Sequence, residues 1–351
     1  MQSKEELLEL LCEARPDASS EEYSAWISVL VQLKGCHVHS LAAQGIDDAG
    51  WYAARAKGIG GSEIAAILGK STWSSPYDIY IKKVPQFANE DAAPQSEAAR
   101  WGNVLEDSIL KEWAHRTGRI YIHLPVSLQS DDNPIFIANV DGFELAEDGT
   151  VIGILECKTT STYNKEAWES GEIPIYYMYQ IQWYMMITGL PTACIMCLVG
   201  GQKFYYYDIP ALEAVAKEER EGAVDFWENH VIPQIAPELT DVDADRLAEA
   251  KVEDKEVSEP VITEDSDTIL NLENYIAIRE QISALEKLKK VCYAKILEKL
   301  GTADEMIAGS YAVKCSYQTR KTCDFELLAA KYPEVYAEVV ESKTSMRLNV
   351  K

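Results

Sequence analysis

Residues 139–161, NVDGFELAEDGTVIGILECKTTS, read as a β-hairpin that carries two carboxylates and a lysine. Asp141 ends one extended run, 135–140, and Glu156 and Lys158 lie on the next, which begins at Val151. The connection 146–150 is polar and holds Gly149, as a hairpin turn requires. Side chains alternate faces along a strand, so Glu156 and Lys158 point one way and Cys157 the other. Burying a carboxylate and an ammonium at a strand end is costly unless something uses them. A divalent metal and a water would use them.

Around this hairpin the chain reads as a mixed α/β protein. Helices are expected at Lys4–Ala14 and 20–33, and after the turn 58–61 a short helix follows at 62–68 with Ser62 as its N-cap. Another begins near Ser75-Pro76, with proline in its favoured first turn. Residues 85–97 read as a loop. A long helix spans 98–117 and closes at Gly118, and the spacing of Trp101, Leu105, Ile109 and Trp113 marks its core face. A meander of three strands is expected at 121–129, 135–140 and 151–158. A crossover helix, Ile175–Thr188, two strands at 193–200 and 203–207, and a helix at 211–231 complete the body. This order predicts a central mixed β-sheet flanked by helices.

The 351 residues suffice for more than one folding unit. The reading divides them into an N-terminal helical extension (1–50), a core (51–235), an acidic linker (236–267) and a C-terminal helical and α+β appendage (268–351). Within the appendage a long helix at 270–300, a helix near 325–340 and a last strand at 345–350 are expected. No apolar run approaches the ~20 residues of a membrane span, and the acidic amphipathic N-terminus resembles neither a signal nor a transit peptide. Eight cysteines without framework spacing point to reduced thiols in a cytosol. Cys194 and Cys197 form a CxxC inside an apolar run and read as two buried thiols. An iron–sulfur cluster drawing in Cys12, Cys36 or Cys292 lacks a second clustered set.

The formal net charge of −24 argues against a nucleic-acid partner. The acidity is uneven, however. Residues 236–267 hold 12 acidic and 3 basic side chains, a net of −9, whereas 268–351 hold 11 and 13, a net of +2. An acidic exterior therefore leaves room for a local basic groove.

Three further features accompany the carboxylates. Glu106 sits on the long helix between core-like Leu105 and Ile109, although as a helix residue alone it reads as solvated. Gln180 and Gln182 stand two apart on a helix and cannot share one face, so one reaches the site while the other faces solvent or caps a backbone group. Arg55 and Ser62 flank a glycine turn where backbone N–H groups and a helix start could hold a phosphate. The tyrosines of 175–184 and 204–207, and His115, read as structural; stacking on unwound bases is the other use open to the tyrosines.

The motifs WYAARAKGIGGSEIAAILG, WGNVLE, NVDGF, ILECKTTS and YYMYQIQWYMMITG, in this order, resemble the YqaJ-type phage recombinases, relatives of lambda exonuclease in the PD-(D/E)XK nuclease superfamily. The resemblance covers about residues 50–230. Val140 stands where the superfamily name has proline. The resemblance implies a restriction-endonuclease-like core and a Mg²⁺-dependent deoxyribonuclease, with Mn²⁺ able to substitute. Asp141, Glu156, Glu106 and the backbone carbonyl of Cys157 would hold the metal. Lys158 would orient the attacking water or stabilise the transition state, and Gln180 is the glutamine that would bond within the site. Arg55 and Ser62 would grip a 5′-phosphate. The implied activity is 5′→3′ digestion of one strand at double-stranded DNA ends for phage-type homologous recombination. The implied partners are a single-strand annealing protein and further copies in a homo-oligomer, in the cytoplasm of a bacterial host, without a membrane. Two rivals stand beside it: a structure-specific or restriction-like endonuclease with the same core, and a DNA-end-binding adaptor without activity.

Overall fold

The computed structural model describes residues 2–40, 55–84, 96–124, 126–253, 261–319, 322–341, 346, 348 and 350. The loop expected at 85–97 lies outside them up to residue 95, as do residues 51–54 of the first motif and residues 345, 347 and 349 of the strand expected at 345–350; residues 346, 348 and 350 are in no strand. The chain forms two compact units, Met1–Ala244 and Asp245–Lys351.

The first unit opens with α1 (Lys4–Ala14) and α2 (Ser20–Leu30), each started by a capping box, Ser3 with Glu6 and Ser19 with Glu22. Strands β1 (Cys36–Ser40) and β2 (Ile59–Gly60) follow, then α3 (Gly61–Ile67), α4 (Pro76–Lys83) and α5 (Glu97–Thr117). Next come β3 (Ile120–Ile122), β4 (Ser127–Ser130), β5 (Phe136–Ala138), β6 (Gly142–Leu145) and β7 (Val151–Thr160). The short α6 (Lys165–Ser170) and α7 (Ile175–Thr188) lead to β8 (Thr192–Val199), β9 (Lys203–Pro210) and α8 (Glu213–Phe226). A π-helical turn, Trp227–Val231, extends α8.

The mixed α/β class is as expected, but the strands divide between two sheets. One runs β1-β4-β5-β2 and the other β3-β6-β7-β8-β9, with β7 and β8 parallel. The run expected as one strand, 121–129, splits into β3 and β4 in different sheets, and β5 parts from β6 at Asp141. Pro125 lies in the first of these runs and cannot donate to a ladder.

α7 explains how the two sheets share a core. It is apolar on nearly every side, the mark of a helix buried all round, and residues Tyr179–Met185 are buried throughout. Its Trp183 meets Phe136 of the first sheet edge-on at 4.9 Å between ring centres and donates to the carbonyl of Ile137 at 2.9 Å. α5 covers the opposite face of the five-stranded sheet, where Ile109, Leu110 and Trp113 pack on Leu155, Cys194 and Met196. Trp101, expected in this core, is instead 49% exposed. Cys194 and Cys197 are free, buried and on opposite faces of β8, one with Trp113 and one with Trp168, so they cannot share a ligand.

The acidic stretch expected as a linker contains a helix, α9 (Asp241–Glu253). Its Asp243 is buried and accepts the Ser75 hydroxyl at 2.6 Å. The second unit is built on α10 (Ser266–Leu300), capped by Asp265 and ended at Gly301. A hairpin of β10 (Glu305–Ala308) and β11 (Tyr311–Lys314) follows. The helix expected near 325–340 is two, α11 (Phe325–Lys331) and α12 (Pro333–Val339), because Pro333 cannot continue a helix and opens a new one.

Glu219 on α8 is fully buried, and neither of its carboxylate oxygens has a hydrogen-bond partner among the described residues. Burial, then the neighbouring Glu218, pushes its pKa up to about 9. The folded chain therefore holds a proton that an unfolded glutamate loses near pH 4.5, so stability falls as pH rises between those values. Glu219→Gln should melt a few degrees above wild type at pH 8, and the two should converge near pH 5. Parallel melting curves across this range would contradict the burial argument.

Candidate active site

Asp141 stands where β5 ends and β6 begins, and Glu156 and Lys158 lie where β7 runs past the last β6 pair, Gly142 with Leu155. Beyond that pair one edge of β7 has no partner strand among the described residues, and Asp141 meets it: its Oδ2 accepts the Cys157 N–H at 2.6 Å. In a strand the N–H and C=O of one residue point to the same edge, so the Cys157 carbonyl also faces Asp141.

Glu156 and Lys158 share the face toward α7, as alternation requires. Glu156 is 2% exposed, and its Oε1 accepts from Lys158 Nζ at 2.5 Å and from Gln180 Nε2 at 2.6 Å. Lys158 also donates to Gln180 Oε1 at 2.9 Å and sits over the Tyr177 ring at 4.8 Å. The second oxygen of Glu156, Oε2, is buried with no hydrogen-bond partner among the described residues. Gln182 turns away. It donates to the Pro210 carbonyl and accepts from Leu212 N–H, tying α7 to the start of α8. The two glutamines thus divide the labour along the lines their spacing allows.

Glu106 is not a solvated helix residue: its side chain is 13% exposed and lies 3.5 Å from His123 Nδ1. That same nitrogen is 2.7 Å from the carbonyl oxygen of Asp141. His123 was not marked by any motif, because a lone histidine after a short strand carries no pattern of its own. Tyr184, which accepts a hydrogen bond from Gln180 at 3.1 Å, was legible in principle, since it stands four residues on along the same helix face.

The electrostatics are those of crowded carboxylates. Burial, followed by Glu156, raises Glu106 to about 7; burial, followed by Glu106, raises Asp141 to about 7; burial, followed by Asp141, raises Glu156 to about 8. For Lys158 burial favours the neutral amine, but Glu156 and Asp141 outweigh it and hold the pKa above 10.5. No three His, Cys, Asp or Glu side chains among the described residues stand close enough to clasp a metal between them. Glu156 Oε1 is engaged by Lys158 and Gln180, and Asp141 by the Cys157 amide. The donor set nevertheless fits a hard divalent cation, with oxygen ligands, mutual repulsion and one buried oxygen left unpaired.

The second expected cluster forms around the start of α3. Arg55 donates to Ser62 Oγ at 2.9 Å and lies 3.5 Å from Glu63. Ser62 is not the N-cap. Gly60 takes that position, and its N–H donates to Glu63 at 2.8 Å, which leaves Ser62 exposed in the first turn with its hydroxyl free to meet Arg55. Glu63 is held by buried Lys83 at 2.8 Å, and Lys83 also donates to the Arg55 carbonyl at 2.7 Å. Burial would raise Glu63, yet Lys83 and Arg55 bring its pKa below the usual carboxylate value. The two clusters connect through Gly61: a Cβ there would stand 2.4 Å from the Tyr184 ring, and Tyr184 in turn bonds Gln180.

The family model of the YqaJ-like viral recombinase domain matches residues 50–191. The chain belongs to that family: it is 31% identical over 307 residues to the uncharacterized protein YqaJ of Bacillus subtilis (strain 168), covering 86% of this chain and 93% of that protein. Among solved structures it is similar to an alkaline exonuclease (LHK-Exo) from Laribacter hongkongensis, with TM-score 0.45 and 17% identity over 58% of this chain and 100% of that one. A phage related exonuclease from Haemophilus somnus 129PT gives TM-score 0.33 and 14% identity, over 50% and 96%. These likenesses are distant and bear on neither activity nor substrate.

Removing Lys83 would strand Glu63 in the interior. Lys83→Met should lower unfolding free energy by about 3 kcal/mol in urea titrations, the usual cost of breaking a buried pair. Adding Glu63→Gln should return part of it; a double variant no more stable than Lys83→Met would refute the pair.

Proposed function

We propose that the protein is a Mg²⁺-dependent deoxyribonuclease, with Mn²⁺ able to substitute, that digests one strand of linear double-stranded DNA from its 5′ end. The observation that carries this reading is the unpaired, buried Glu156 Oε2 among three carboxylates that raise one another's pKa. Asp141, Glu156, Glu106 and the Cys157 carbonyl are the groups that would hold the cation. Bound there, it would supply an activated water and offset charge on the cleaved phosphate and leaving oxygen.

The chain's own residues set the rest. Lys158, kept cationic by Glu156 and Asp141, offers an ammonium to the developing negative charge, a role that needs no depressed pKa. Gln180 holds Lys158 and Glu156 in register, and His123, at 2.7 Å from the Asp141 carbonyl, positions the Asp141 backbone. Arg55 with Ser62 is the grip on the 5′-phosphate, since a guanidinium fork matches phosphate oxygens. Membership of a viral recombinase family supports a role in phage-type homologous recombination in a bacterial cytoplasm, with a single-strand annealing protein and a homo-oligomeric assembly. No helix among the described residues is long and apolar enough to cross a membrane.

End-labelled linear duplex compared with closed circular DNA, with and without Mg²⁺, tests reaction, polarity and metal together. Linear DNA should be shortened from the 5′ end only with the metal, and circles should persist. Nicked or linearised circles would establish an endonuclease instead. Glu156→Ala should slow digestion by about a thousandfold, on the order of 4 kcal/mol of barrier. Arg55→Ala should slow 5′-phosphorylated ends more than 5′-hydroxyl ends, and equal loss on both would remove the phosphate role.

A further inference from the structure

The helix α2 belongs to the N-terminal extension that the sequence sets apart from the core, yet it is bonded into the segments that carry the acid cluster. Buried Trp26 donates its indole N–H to the carbonyl of His123 at 3.0 Å, across 97 positions of sequence. Just after the helix, Gln32 donates to the Gly149 carbonyl at 3.1 Å and accepts the Val151 N–H at 3.0 Å. Both polar atoms of its amide thus engage the turn of the β6–β7 hairpin, and its nitrogen also reaches the Ser28 carbonyl of α2 at 2.8 Å. Gln32 docks the helix on the hairpin at one end, and Trp26 reaches toward the other.

Strand register carries the Trp26 contact inward. β3 pairs antiparallel with β6, Ile122 with Phe143, so the next residue, His123, falls beside Gly142 and Asp141. Its Nδ1 lies 2.7 Å from the Asp141 carbonyl, an oxygen that can only accept, so Nδ1 carries the hydrogen. Glu106 lies 3.5 Å from the same nitrogen. Asp141 in turn accepts the Cys157 N–H through Oδ2 at 2.6 Å. Three hydrogen bonds therefore run in series from α2 to β7, by way of His123 and Asp141.

We propose that Trp26 is a positioning residue for the acid cluster: by fixing the His123 main chain it sets the imidazole that holds Asp141 in place beside Glu106 and Cys157. The proposal deepens the nuclease reading and rests on it for what the cluster does. Groups that orient ligand-bearing residues without touching the ion set how well a site holds it, and losing one costs on the order of tenfold in affinity.

The test follows the last bond of the series in the full chain, without metal or DNA. Labelling with ¹⁵N-cysteine gives eight amide signals, and Cys157→Ser identifies that of Cys157. Trp26→Phe keeps an aromatic ring and loses the indole N–H. It should speed hydrogen exchange of the Cys157 amide about fivefold, the weight of one hydrogen bond. Exchange at Cys194 and Cys197 in β8 should stay as in wild type. Because Trp26 is buried, the partly exposed His123 supplies a second variant. His123→Ala should speed Cys157 exchange equally, and His123→Asn, whose amide nitrogen can stand in for Nδ1–H, should restore slow exchange. Unchanged exchange at Cys157 in either Trp26→Phe or His123→Ala would overturn the proposal, and so would equal acceleration at all three cysteines, the sign of a fold loosened throughout. With Mn²⁺ added, the same two variants should bind the ion on the order of tenfold more weakly, read from the electron spin resonance of the free ion. Unchanged binding would overturn the positioning role. A wild type that binds no Mn²⁺ would instead remove the metal from the nuclease reading, and the exchange rates would still decide whether Trp26 holds Asp141.

Discussion

Burial of the Glu156 carboxylate is the constraint on which the rest of the first unit depends. An ionised carboxylate at 2% exposure costs several kcal/mol unless its oxygens are satisfied. Lys158, two residues on along the same strand, supplies one partner, and Gln180 supplies another from α7. The second partner demands that α7 lie across the open end of β7. Trp183 on the neighbouring turn is meanwhile anchored to Ile137 of the other sheet. One helix therefore sets both the union of the two sheets and the geometry of the acid cluster. What remains unsatisfied is a single carboxylate oxygen, Glu156 Oε2.

The same helix ties the acid cluster to the Arg55 cluster. Tyr184 can pack this close to α3 only because residue 61 has no side chain, and its hydroxyl accepts from Gln180. Arg55 is likewise braced from within, by Ser62 at its tip and by Lys83 at its own carbonyl. Two groups of charged residues from separate stretches of the chain are thus held by one run of packed side chains.

Much of this was legible in the residues. Strand alternation placed Glu156 and Lys158 on one face and Cys157 on the other, and the i, i+2 spacing of Gln180 and Gln182 sent one inward and one to the backbone. Helix ends at Gly118 and Gly189 followed from the left-handed backbone that glycine adopts there. Other features were not. Trp101 keeps the helical period of the α5 core yet is 49% exposed, because periodicity says which side of a helix is apolar and not which of its turns are covered. Ser62 has the residue type of a cap, but Glu63 reaches back to Gly60 and moves the cap two positions earlier. The acidic 236–267 segment has a linker's composition, yet Asp243 finds the Ser75 hydroxyl and helix α9 forms around it.

The sequence by itself determined the alternating faces, the helix stops, the mixed α/β class and the set of charged residue types, because all of these arise from neighbours within a few positions. Only the tertiary structure decided that Glu106 is buried, that His123 meets both Glu106 and the Asp141 carbonyl, and that β5 and β6 belong to different sheets. Those outcomes rest on contacts between segments far apart in the chain. Desolvation and the pairing of buried polar groups, rather than local periodicity, select among them.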